Sequence, residues 1–276
     1  MIRYNKVKKR PRTFLRLFGV RPEEVDFIVS QVRPLWEERV IGAYKRPGRY
    51  FKLDLEEMIL MVLLYYRSYA TQLFVGVLFG IDESRVCRLI QKLEPLIEEV
   101  FRIPRARVLK KEDVEQLIDA TEQTIERPKQ DQKVYYSGKK KRHTLKTEIR
   151  VNLQGKILHV SGAYPGSTHD FKIHKQEPPL KKRVRGYMDS AYQGIEEFHP
   201  NAEIPFKKPR GGDLDEEEKH YNEVLSRIRV KVENILAQIK VFRILADRFR
   251  NKRCRYSIKF KIIAGIVNLK NGFAPA

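Results

Sequence analysis

Three carboxylates stand where carboxylates are uncommon. Asp119 lies within residues 114–125, VEQLIDATEQTI, a run that otherwise reads as a short β-strand, and aspartate is depleted in strand interiors. Asp189 closes a second strand-like segment in GYMDSAYQG, residues 186–194, and Glu233 lies on a helix in RVKVENILAQIK, residues 229–240. Acids carried in the order strand, strand, helix can converge on one point, and hard oxygen ligands of that kind suit magnesium or manganese. Two such ions about 4 Å apart activate a water or hydroxyl and stabilise the oxygen that leaves a phosphodiester. Each acid also has a plainer reading: Asp119 as a turn or edge residue, Asp189 as an Asx cap of the following turn, Glu233 as an i,i+4 partner of Arg229.

The elements that must position these acids form a mixed α/β domain, read over residues 112–270. Residues 117–126 and 184–188 are the strands that carry the aspartates. Residues 147–152 and 156–163 alternate apolar positions around Leu153-Gln154-Gly155 as a hairpin, and 202–206 is a fifth strand. The long helix, residues 217–245, has an apolar stripe through Leu225, Ile228, Val232, Ile235, Leu236, Ile239 and Phe242, and Glu233 sits beside it.

The N-terminal half reads differently. Residues 1–16 look like a flexible basic arm, and residues 17–105 like a helical domain. Two short helices over 13–38 are punctuated by Gly19-Val20-Arg21-Pro22 and by Pro34; RPGRY at 46–50 is a turn. Asp54 and Glu57 form a capping-box pattern for a helix over 55–69, Thr71 caps a short helix closed by Gly80, and Asp82 caps a third that stops near Pro95. The last two helices and the Gly80-Ile81-Asp82 turn have helix-turn-helix lengths, which would offer Glu83, Ser84, Arg85 and Arg88 outward. An ordinary three-helix packing unit has the same pattern. The Pro-containing basic stretch 101–111 marks the boundary between the halves.

Composition restricts the partner. The chain of 276 residues carries a formal net charge of +21, with 42% hydrophobic residues, enough for a sizeable core. The charge is clustered: residues 1–16 hold seven Lys or Arg and no acid, 133–150 hold seven against Glu148, and 240–261 hold nine against Asp247. A polyanion is the natural ligand of such stretches. The longest apolar runs, 58–66 and 73–81, are nine residues each, well short of the ~18 that a membrane span needs. No apolar segment follows the basic N-terminus, and Cys87 and Cys254 have no ligand spacing. These features fit a bacterial cytoplasm, on the nucleoid, or a nucleus in a eukaryote.

Six runs, in order, carry a resemblance. IDATEQTIERP at 118–128, YSGKKKRHTLK at 136–146, PGSTHD at 165–170, MDSAYQG at 188–194, PFKKP at 205–209 and LSRIRVKVENILAQIKVFRIL at 225–245 resemble the DDE transposases of bacterial insertion sequences, in the branch similar to PIF/Harbinger elements. The resemblance implies a ribonuclease-H-like mixed five-stranded sheet flanked by helices, preceded by an all-α helix-turn-helix domain. It implies Asp119, Asp189 and Glu233 as catalytic, metal-binding acids for two magnesium or manganese ions. Asp189 takes the place of the aspartate in D-x-G-Y-x-G, with Ala191 where glycine is usual.

Around these acids the resemblance implies further roles. Lys139, Lys140, Lys141, Arg142, His143 and Lys146 contact the DNA backbone, presented by a turn at Tyr136-Ser137-Gly138. His169 and Asp170 pair behind the acids or cap a helix, and Arg229 holds Glu233 or a phosphate. The partner implied is double-stranded DNA, both element ends and target, bound by a homodimer or larger assembly, with no membrane. The reaction is cleavage at element ends and attack of the 3′-hydroxyl on target DNA. Two rivals are a DNA-binding descendant without catalysis, and a nuclease that cuts without joining.

Overall fold

The computed structural model describes residues 1–43, 50–103 and 110–275. Most of the turn read at 46–50 and of the linker read over 101–111 lies outside the described residues. Contacts divide the chain into two compact units, one comprising Met1–Arg102, Ile239–Asp247 and Ile258–Ala276, the other Ile103–Gln238 and Arg248–Ser257.

The first unit is helical: α1 (Tyr4–Val7), α2 (Pro11–Phe18), α3 (Pro22–Trp36, continued by a π-helical turn Glu37–Ile41), α4 (Leu55–Ser68), α5 (Gln72–Phe79) and α6 (Glu83–Val100). The nine apolar residues from Met58 to Tyr66 are all buried, so α4 is the central helix, apolar on every side. Residues 1–16 are not the flexible arm their charge suggested. Pro11 starts α2, Gly19 ends it at φ 75°, and Phe14 and Phe18, one turn apart, bury rings 4.7 Å from each other. The aromatic pair anchors the segment while Lys6, Lys8, Lys9, Arg10, Arg12 and Arg16 stay in water.

Two local readings fail for stated reasons. Asp54 occupies the N-cap of α4 but makes no capping bond, because Glu57, its expected reciprocal partner, is buried and accepts two bonds from Arg3 at 2.9 and 3.0 Å. Helix α6 does not stop near Pro95 but runs on to Val100, since Leu93, Leu96 and Ile97 are buried and their packing outweighs one lost backbone bond. The other caps form as read: Thr71 Oγ1 accepts from Phe74 N at 3.2 Å, and Asp82 Oδ1 from Arg85 N at 2.9 Å.

The second unit is built on β1 (Glu115–Thr124). After α7 (Gln132–Tyr135) come β2 (Tyr136–Ser137), β3 (Arg142–Asn152), β4 (Ile157–Val160), β5 (Tyr164–Pro165), α8 (Asp170–Gln176), β6 (Arg185–Tyr187), β7 (Ala202–Glu203) and α9 (Glu216–Lys240). Strand β1 pairs antiparallel with β3 and parallel with β6, which pairs parallel with β7; β3 also carries β2, β5 and β4 along its length. The five main strands, in the order β4-β3-β1-β6-β7, are the mixed ribonuclease-H-like sheet that the resemblance implied. Helix α9 ends at Lys240 rather than 245, and Phe242 of its expected stripe is buried in the helical unit instead.

The last helix, α10 (Tyr256–Lys270), was read with the α/β domain, but from Ile258 onward it belongs to the helical unit. Ile262, Ile263, Ile266 and Val267 are buried, and the Lys259 ammonium pairs with Glu94, itself bonded by the Tyr66 hydroxyl at 2.7 Å. Gly265 permits the approach of Phe101, whose Cβ would lie 2.3 Å from any added methyl. Among the described residues no helix is long and apolar enough to cross a membrane.

Candidate active site

The two aspartates come together by register. Strands β1 and β6 pair through Leu117 and Tyr187, and each aspartate follows two residues later, Asp119 still within β1 and Asp189 just past the end of β6. Strand β6 ends there, so β1 loses its neighbour on that edge just where Asp119 stands, while β3 still supports the other edge through Ile149. Both acids are partly buried. Asp119 Oδ1 accepts the Ala120 N–H and Asp189 Oδ1 the Ala191 N–H, each at 2.8 Å. The Asx-cap reading of Asp189 is therefore also true. Ala191 needs no glycine conformation, since Tyr69, Asp131 and Lys141 are the non-glycine residues with positive φ among those described.

Burial pushes the Asp119 carboxyl up to about 6; Arg229 pulls it back, and Asp189 and Asp170 push it further. These four groups therefore share one electrostatic site. Asp170 begins α8 and is held at 2.9 Å by Lys146 Nζ, which also donates to Thr168 O at 2.9 Å. The expected His169–Asp170 pair is absent: His169 is exposed at the N-cap of α8 and makes no capping bond. Lys146 is correspondingly no free phosphate contact but a partly buried counter-ion.

Glu233 does not join the pair. It is exposed on α9, one turn beyond Arg229, which is partly buried and whose charge acts on Asp119. Among the described residues no three His, Cys, Asp or Glu side chains are placed to hold one ion. Asp119 and Asp189 themselves fit a hard divalent cation, which asks the protein for one or two carboxylates; among the described residues each leaves its Oδ2 without a hydrogen-bond donor.

Behind the pair lies a buried cluster that the sequence did not announce. Glu148 on β3 is fully buried and receives Arg150 Nε at 3.1 Å, His174 Nδ1 at 3.0 Å and the Tyr192 hydroxyl at 3.3 Å. Burial alone would raise its carboxyl, but His174 and Arg150 hold it below the usual glutamate range. Through Tyr192 it ties down the turn after Asp189, and through His174 the helix that Asp170 begins. The available signal is a glutamate on a strand among Ile149 and Val151, although by spacing alone Glu148 stands only as the one acid of the basic stretch 133–150.

The basic groups divide in two. Lys139, Lys140, Lys141 and Arg142 are exposed at the tip of the β2–β3 hairpin, where Ser137 Oγ accepts from Lys140 N at 3.2 Å and Lys141 takes φ 50°; His143 packs on Tyr136, rings 5.6 Å apart. In the other unit Ser84, Arg85 and Arg88 are exposed on the first turns of α6. Arg85 pairs with Asp82 at 3.0 Å and Arg88 with Ser84 Oγ at 3.1 Å.

Comparison with known proteins agrees with this layout. Residues 118–271 match the family described as DDE superfamily endonuclease, and residues 51–103 the helix-turn-helix of DDE superfamily endonuclease. A protein of Microchaete diplosiphon, named probable transposase for insertion sequence element IS702, is 36% identical over 93% of this chain and 94% of its own length. One of Streptomyces albus G, named as a transposase for insertion sequence element IS112, is 26% identical over 83% of this chain and 84% of its own. No solved structure matches the chain.

Proposed function

The chain belongs to the DDE superfamily endonuclease family, and from that membership we propose that it is an insertion-sequence transposase that cuts at element ends and joins the 3′-hydroxyl to target DNA. The single observation behind this reading is the register that pairs Leu117 with Tyr187, which sets Asp119 and Asp189 each two residues beyond the last paired position. Asp119 and Asp189 would hold the divalent ions, with Glu233 as the third acid once α9 presents it. Bound there, magnesium or manganese supplies a nucleophile at neutral pH and charge stabilisation for the leaving oxygen.

The remaining roles fall to the chain's own side chains. Arg229, whose charge partly offsets the rise of the Asp119 carboxyl, meets phosphate charge when DNA binds. Lys139, Lys140, Lys141 and Arg142 grip the DNA backbone, and Arg85 and Arg88 on α6 bind the element end. Two ends imply a homodimer or larger on DNA.

A strand-transfer assay with a pre-cut end and supercoiled target tests the proposal. Joined product that vanishes in Asp119→Asn supports it. Cutting without joining reduces the protein to a nuclease, and binding without either leaves the DNA-binding rival, which the exposed position of Glu233 favours.

A further inference from the structure

The helical unit carries a cavity of about 470 Å³ beside the first turns of α6. Its floor is apolar, made by the buried side chains of Leu53, Met58, Ile81 and Leu89. Its wall is cationic: Arg85, Arg88 and Lys92 line it at i, i+3 and i+7 of one helix face. Two rings complete it, Phe51, 40% exposed, and Tyr50, 95% exposed. The Tyr50 ring, almost wholly in water, is open to stacking beside this wall.

The lining selects the chemistry. A bare phosphate would use the cations and waste the floor. An apolar ligand would use the floor and make no use of the cationic wall. An aromatic base carrying a phosphate uses both, and the volume is that of a small-molecule site, too small for a duplex to enter. The ties that Arg85 and Arg88 now make, to Asp82 and Ser84, are exposed and readily exchanged for phosphate.

We propose that this cavity takes one unpaired nucleotide of a DNA strand, its base stacked on Tyr50 and Phe51 and its phosphate held by Arg85, Arg88 and Lys92. The proposal rests on the reading that this unit binds DNA and adds what it recognises there: an unpaired nucleotide next to the duplex that α6 contacts. Stacking on an aromatic side chain returns about 1–3 kcal/mol per base, comparable with the cost of unpairing, so the site acts where the base is already unpaired.

Trp36, the one tryptophan of the chain, meets the Phe51 ring at a tilt of 57° with centroids 5.1 Å apart, so its fluorescence reports on the cavity's edge. The full chain is titrated with a paired duplex, the same duplex carrying one unpaired thymidine, and free thymidine monophosphate. The expected result is roughly 5- to 100-fold tighter binding of the bulged duplex, with a change in Trp36 emission that the paired duplex does not produce. Tyr50→Ala should bring the ratio close to one, and Tyr50→Phe, which keeps the ring, should preserve it. Equal affinity for both duplexes, or a preference that survives Tyr50→Ala, overturns the proposal. Saturation of the Trp36 signal by the free nucleotide, without a bulge preference, overturns the strand-borne ligand in favour of a free one. Failure to bind any duplex overturns the DNA-binding reading and this proposal with it.

Discussion

Asp119 lies within β1 and Asp189 just past the end of β6, each two residues beyond the paired Leu117 and Tyr187. The pairing that stops at Tyr187 is what opens the edge of β1 to a ligand. Replacing either acid by its amide keeps shape and removes charge. Asp119→Asn and Asp189→Asn should each reduce strand cleavage by about a thousandfold, near 4 kcal/mol of barrier, with duplex affinity in a gel-shift assay retained. Full cleavage in either variant removes that acid from the site.

The raised Asp119 carboxyl sets a pH dependence. Its folded value, about 6, lies above the ordinary aspartate value. The stabilising contribution of the neutral form is therefore complete below about pH 4 and is lost as pH rises through 6. Asp119→Asn should then raise the melting temperature at pH 7.5, by the equivalent of about 1–3 kcal/mol, and leave it nearly unchanged at pH 4. Magnesium should raise the wild-type melting temperature at pH 7.5 and do less for the variant. Identical melting of both proteins at the two pH values would contradict the assignment.

Glu148 gives the opposite sign. Its carboxyl is held below the usual range, so the stability it contributes is present above that range and is lost as pH falls through the depressed value. Glu148→Gln leaves Arg150 and His174 buried beside a neutral group, and should cost about 3–5 kcal/mol in urea unfolding. Tyr192→Phe, which removes only the 3.3 Å bond, should cost about 1 kcal/mol.

The hairpin tip tests the DNA surface. Replacing Lys139, Lys140, Lys141 and Arg142 together by serine should weaken binding on all sequences alike and flatten the log–log salt dependence by up to about 0.9 per lost phosphate contact. An unchanged slope would place the phosphate contacts elsewhere.

Helix α10 is part of the helical core. A fragment ending before Tyr256 leaves Glu94 buried without Lys259 and opens the face that Ile263 and Val267 fill. That fragment should lose the cooperative thermal transition of the helical unit in calorimetry, and addition of magnesium should not restore it.

What the chain alone determined is what depends on local chemistry. Strand alternation around Asp119 and the hairpin at Gly155, the caps at Thr71 and Asp82, and the cationic clusters all rest on neighbours within a few residues. Asp119 stood out because aspartate is rare inside a strand, and Asp189 because it follows a strand-like run whose flanks carry the resemblance. Long-range contacts decided the rest. The first sixteen residues fold because Phe14 and Phe18 find a core that their basic neighbours conceal. Glu57 abandons its cap for Arg3, and Asp170 pairs with Lys146 across the β3–α8 contact rather than with adjacent His169. The Glu148 cluster gathers residues from β3, α8 and the turn after β6, and no spacing in the chain encodes that meeting. Burial sets its cost and its strength, and burial exists only once the sheet and helices have closed over it.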